Sequence, residues 1–150
     1  MREIYELRLW LEPPAAAAAA GRIAPAELAR LRALSDPVLD LDDPASVDRF
    51  MAANRAVHVT VAAAAGNGRA AAIVARLLDD SERARLVALR GGAAARGLRA
   101  RAEHHALLEA LAAGDGAEAE RLMADAIRAF SDEVLEALRA AVLDSPLPAA

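Results

Sequence analysis

The chain contains no cysteine and no lysine, and only four of its 150 residues are aromatic: Tyr5, Trp10, Phe50 and Phe130. Without cysteine there is no disulfide, no thiolate metal ligand and no cysteine nucleophile. A sheet needs β-branched and aromatic side chains on its pleated faces, and here 43 alanines stand in their place. Alanine and leucine are among the best helix formers. Long hydrophobic runs are also missing. The longest uncharged apolar stretch, residues 13–20, is far short of the ~20 residues that cross a bilayer, and the N-terminus lacks the basic-then-apolar layout of a signal peptide. All 18 basic residues are arginine; against 22 acidic residues they leave a net charge of −4. That balance is at odds with DNA binding by these residues alone, which draws on clustered positive charge. The length suits one domain. The expectation is a cytoplasmic, all-α protein with no membrane partner.

Spacing predicts six helices. The first covers residues 2–20, with Ile4, Leu7 and Leu11 at helical intervals, and Pro13 and Pro14 should kink or break it. A short helix starts at Pro25 and carries Leu28, Leu31 and Leu34. After a loop over residues 35–43, Asp43 and Pro44 open a helix that runs to Ala65. Gly66-Asn67-Gly68 ends it. Helices over residues 69–89 and 95–113 follow, closed by Gly91-Gly92 and by Gly114. Asp115 with Glu118 forms a capping-box variant that opens the last helix, reaching about Val142. The tail from Ser145, with Pro146 and Pro148, should fray. Short connections make this an antiparallel bundle, whose core can house a ligand or a metal. The sequence holds no Gly-rich phosphate loop, no Ser-centred nucleophile elbow and no HExxH pair.

Some polar residues fall on apolar stripes. Residues four or seven apart share a helix face, so Phe50, Asn54, Val57, His58 and Val61 form one stripe and aim Asn54 and His58 inward. His104 lies among Leu107, Leu108 and Leu111, while His105 is turned toward the stripe's edge. Arg8 is flanked by Ile4, Tyr5 and Leu11; it either reaches a pocket or snorkels to the surface along its methylenes. The arginines between Arg96 and Arg101 read as a solvated face. Buried polar groups need partners, and two inward histidines on different helices suggest one shared cavity. No carboxylate is expected to face inward beside them.

The ordered segments EIYELRLWLEP, NRAVH, AAGN, EHHALLEALAAGD and AERLMADAI resemble the FCD domain. This is the C-terminal, effector-binding half of FadR-type regulators in the GntR family of transcription regulators. The resemblance implies an antiparallel bundle of six or seven helices that forms a homodimer, spans residues 1–144 and leaves residues 145–150 as a tail. It implies a pocket for a small carboxylate effector, in which Arg8 of the ELR motif reaches the carboxylate. It also implies a divalent metal, zinc or nickel, on Asn54, His58 and His104. The family's further histidine falls on Ala126, so the expected metal is weak or absent, and Arg8, Asn54, His58 and His104 would bind the effector directly. DNA would be reached only through a winged helix-turn-helix that these residues do not include, whether they are a fragment or a stand-alone sensor. Two other readings stay open: a degenerate dimerisation scaffold without ligand, and a helical-bundle metalloenzyme, the latter disfavoured by the lack of a general base.

Overall fold

The computed structural model describes residues 1–143, and the side chains of all of these except 87, 88, 90–96 and 141–143. The tail over residues 145–150 therefore lies outside the described residues. The described residues form five continuous helices: α1 (Arg2–Ala19), α2 (Pro25–Ser35), α3 (Pro44–Ala64), α4 (Gly68–Ala113) and α5 (Gly116–Leu143). No strand occurs among the described residues.

The helix starts follow the capping chemistry of the sequence. Asp43 accepts a hydrogen bond from the Ala45 amide at 2.9 Å, one residue ahead of Pro44. Asn67 accepts from the amides of Arg69 and Ala70 and opens α4. Asp115 accepts from the Glu118 amide at 3.0 Å. Each side chain satisfies donors that the first helical turn leaves without an intrahelical partner. Gly66 and Gly114, at φ of +86° and +73°, turn the chain where a Cβ would strain it.

Two expectations about breaks are corrected. α1 continues through Pro13 and Pro14. Proline deletes one amide and crowds the preceding turn, but here tertiary packing holds the helix, with Pro13 itself buried and α1 lying against α3, α4 and α5. Likewise, the backbone from Gly68 to Ala113 is helical throughout, where a stop was expected at Gly91-Gly92. A straight helix would separate Arg85 from His104 by roughly 28 Å at 1.5 Å per residue. Both line the same small cavity, so α4 bends back between them. Counted with the other four helices, the two arms of this bent helix give the six helical segments read from the sequence.

The alanine run places α1 at the centre. Ala15, Ala16 and Ala19 are buried, and their small side chains allow neighbouring backbones to come close. A Cβ on Gly116 would meet the Ala17 carbonyl oxygen at 2.9 Å, and the Gly21 amide donates to the Leu111 carbonyl at 2.9 Å. The main core gathers Tyr5, Leu31, Val57, Val61, Leu107, Leu111, Met123, Ile127 and Val134 around this helix. Leu7 is exposed to about 39%. The buried stripe of α1 runs through Tyr5, Arg8, Glu12, Ala16 and Ala19.

Candidate functional site

Three polar side chains of the buried α1 and α3 stripes meet inside the bundle. Arg8 and Glu12 are one turn apart on α1 and only 2% and 1% exposed. Arg8 Nε donates to Glu12 Oε1 at 2.5 Å. The other oxygen of Glu12 is hydrogen-bonded to Nδ1 of His58 on α3. The guanidinium also lies over the Tyr5 ring, 5.5 Å from its centroid. Arg8 therefore does not snorkel to the surface. Its burial follows from the company it keeps, because a carboxylate and a ring face replace the water it gives up.

His104, on the second arm of α4, faces His58 across a cavity of about 30 Å³. The two ring centroids are 6.0 Å apart and the ring planes are inclined by 75°. Nδ1 of His104 lies 3.2 Å from Ser35 Oγ at the end of α2. Arg8, Phe50, Asn54, Arg85, Ala126 and Phe130 complete much of the wall. The Asn54 side chain is mostly buried, and its Nδ2 has no hydrogen-bond partner. Thus Arg8, Asn54, His58 and His104, drawn from three helices, border one cavity. His105 is turned away, with Nε2 3.0 Å from Asp36. On the arginine-rich face, Arg99 pairs with Glu133 and Arg101 approaches Asp36, while the side chain of residue 96 lies outside those described.

The expected lack of an inward carboxylate is overturned by Glu12. Ile4, Leu7 and Leu11 mark one stripe of α1 by apolar spacing, whereas Tyr5, Arg8 and Glu12 recur at the same spacing one position further on. Two further site residues were missed. Arg85 continues the α4 stripe of Leu78 and Ser81, is 3% exposed, and stacks on Phe130 at 5.2 Å. Ser35 lies one turn beyond the buried Leu31. Each shares a helical stripe with a buried residue, Glu12 with Tyr5, Arg85 with Leu78 and Ser35 with Leu31.

Burial by itself would raise the Glu12 pKa, but the charges of His58 and Arg8 and their hydrogen bonds bring it down to about 2. A carboxylate held so low is a poor general base near neutral pH. Burial is also the main force on the histidines. It lowers His58 despite the opposing pull of Glu12, and it pushes His104 down to about 3, helped by the cationic charges around it. At neutral pH the cavity thus holds two uncharged imidazoles beside an ion pair.

This arrangement predicts acid lability of a definite sign. Unfolded imidazoles take up a proton near 6.5, while His104 in the fold resists protonation down to about 3. In that interval the unfolded state binds more protons, so stability present above pH 6.5 drains away as pH falls. Glu12, with its ordinary value of 4.5 lowered to about 2, adds a loss of the same sign further down. Urea midpoints at pH 7, 5.5 and 4.5 should therefore decrease in order, and His104→Gln should flatten the slope. A level profile in the parent protein would contradict buried, neutral histidines.

As metal ligands these residues fall short. Asn54, His58 and His104 border the cavity, but Ala126 offers no donor there and Glu12 is committed to Arg8 and His58. Among the described residues, no group of three His, Cys, Asp or Glu side chains could hold a metal ion. Two imidazoles and a neutral amide, next to guanidinium groups, do not fit a firmly held zinc or nickel ion.

Among the described residues no helix is long and apolar enough to cross a membrane. Comparisons with curated proteins and with solved structures return no match. The sequence does match a protein family, the FCD domain, over residues 3–129. That span takes in α1 to α4, all of the cavity's polar side chains and the first half of α5, ending one residue before Phe130. Such domains are regulatory parts of transcription factors and not typically catalytic, and on this match the chain belongs to the FCD domain family.

Proposed function

We propose that this domain senses a small carboxylate effector for a GntR-type transcription regulator, binding it directly in the cavity between His58 and His104. The observation that carries this reading is the convergence of two neutral imidazoles, an unsatisfied amide and two arginines on one interior space. Arg8 and Arg85 offer charge to a carboxylate, and Asn54 and His104 offer hydrogen bonds. A divalent metal contributes little to this binding, because the donor set is incomplete. In this reading the domain forms a homodimer in the cytoplasm, and DNA is contacted by a separate winged helix-turn-helix domain. Binding then acts on DNA affinity only by favouring one of two dimer geometries.

A thermal-shift panel of small carboxylic acids, with and without zinc, tests this reading, since a ligand of the native state raises the melting temperature. At least one acid should raise it in a saturable, zinc-independent manner, and Arg8→Met or His104→Gln should abolish the shift. The cavity's small volume supports one rival, a scaffold that dimerises without a ligand. A panel with no response in folded protein would favour that rival. Turnover of any acid would point to an enzyme instead.

A further inference from the structure

We propose that residues 25–39, α2 and the strap that follows it, form a flap that opens as a unit. Its opening admits solutes to the cavity between His58 and His104 while the rest of the bundle stays folded. Such a flap serves any occupant of the cavity.

The interior space needs a moving wall. Its volume of about 30 Å³ holds roughly two water molecules, so a larger solute enters only when a wall gives way. A second space of about 10 Å³ lies under the strap, lined by Ser35, Pro37, Val38 and Leu39, and shares Phe50 and His104 with the cavity as common walls. On the strap side the ring of His104 is backed by Ser35, 3.2 Å from its Nδ1. Lifting Ser35 away removes the support of that partition.

Of the helices around the cavity, α2 is the one held least firmly. Two of its eleven residues are buried, against seven of eighteen in α1. Among the described residues it packs only on α3 and α4. A polar clip ties it to the second arm of α4: Arg32 bonds Glu109 at 2.8 Å, and Asp36 meets His105 at 3.0 Å and Arg101 at 3.5 Å. All but His105 are two-fifths or more exposed, and pairs that water screens contribute little each. Leu31, Ser35 and Leu39 form the buried underside, and Leu39 is seated on Gly97, whose missing side chain makes the room. Opening the flap uncovers these few groups, whereas unfolding the bundle uncovers the whole core, so the local event has the lower free-energy cost. The two hinges are also visible. Ala24 follows the buried Ile23, and at the far end the Asp40 amide donates to Ser46 Oγ at 2.9 Å. Element-terminal residues of this kind absorb the backbone rotation of a hinge.

Thiol labelling provides the test, because the chain has no cysteine of its own. Ala53 is 4% exposed and lines the space under the strap, whereas Val57, one turn further along α3, lies in the main core. In the 150-residue chain at pH 7, the Ala53→Cys thiol should react with a disulfide reagent at least about a hundredfold faster than the Val57→Cys thiol, which waits for global unfolding. Below the unfolding midpoint its rate should change little with urea, because the flap exposes little surface, while the Val57→Cys rate climbs steeply. Removing the clip with Arg32→Ala/Asp36→Ala should accelerate Ala53→Cys labelling by about three- to thirtyfold. If that variant folds poorly, Arg32→Gln breaks one exposed pair and should give a smaller acceleration. Equal rates for the two thiols, or equally steep urea dependence, would overturn the proposal, since the space would then open only with the whole fold. Fast Ala53→Cys labelling indifferent to the clip would overturn it too, by placing the route elsewhere.

Discussion

Replacing Glu12 with alanine should destabilise the domain more than any other single polar substitution in it, by about 3–5 kcal/mol. The variant leaves the Arg8 guanidinium buried without its counter-charge and removes the acceptor for Nδ1 of His58. Removing one partner exposes the full desolvation cost of the other, whereas exchanging both for apolar groups of similar shape is often neutral. The cost is a large part of the ~5–15 kcal/mol that holds a typical domain together. For a chain of this length it corresponds to a melting temperature lower by roughly 10 °C. Arg8→Met should be similarly harmful, and the double variant Arg8→Met/Glu12→Leu should recover most of the loss. Urea denaturation of the four proteins closes the cycle and isolates the coupling. Losses below about 1 kcal/mol in both single variants would mean the pair is solvated. The exposed pair Arg30–Glu27 has comparable geometry at 2.6 Å but should be nearly silent, because water already screens it.

The contrast between those two pairs also explains what the sequence could and could not disclose. Both are an arginine and a glutamate within one helical turn, and pairing alone does not distinguish core from surface. The stripe does. On α3 the inward residues are mostly apolar, so Asn54 and His58 were conspicuous among Phe50, Val57 and Val61. On α1 the inward stripe is Tyr5, Arg8, Glu12 and alanines, and its hydrophobic signal is too weak to compete with Ile4, Leu7 and Leu11. Helix starts were legible because Asp43, Asn67 and Asp115 act on amides two or three residues away, a purely local effect. The run through Gly91 and Gly92 was not, since whether glycines stop a helix or bend it depends on what the two arms pack against. Here the second arm approaches so closely that a Cβ on Gly97 would fall 2.8 Å from the Leu39 Cβ. The meeting of His58 with His104 depends on that bend, and their separation of 6.0 Å is tertiary information. Sequence spacing supplied the two faces but not the distance between them.

That distance gives the other large effect its rationale: Ala126→His should complete a three-imidazole donor set and make the cavity bind zinc or nickel tightly. Ala126 is on α5 and lines the same small space as Asn54, His58 and His104. An imidazole there would bring a third nitrogen donor to two that are already neutral at pH 7, the state that metal ligation requires. The ion pair behind them needs no change. Glu12 would hold the far nitrogen of His58, and a carboxylate in that position orients a ligating histidine and raises its basicity. Ala126 is only partly buried, so the larger ring can lean toward solvent while its nitrogen reaches inward. Changes to groups behind the ligands already alter metal affinity by ~10–100-fold, and a ligand gained outright should do at least as much. Calorimetry should therefore show one-to-one binding at micromolar or better for Ala126→His, and at least about a hundredfold weaker binding for the parent. Adding His104→Gln should cancel the gain, which separates a shared site from chance binding at a surface histidine. Micromolar or tighter binding by the parent protein would show that two imidazoles and an amide suffice, and the proposal of direct effector binding would have to give way to a metal-mediated one. A folded Ala126→His variant with no gain would mean that the α5 position does not converge with the histidines.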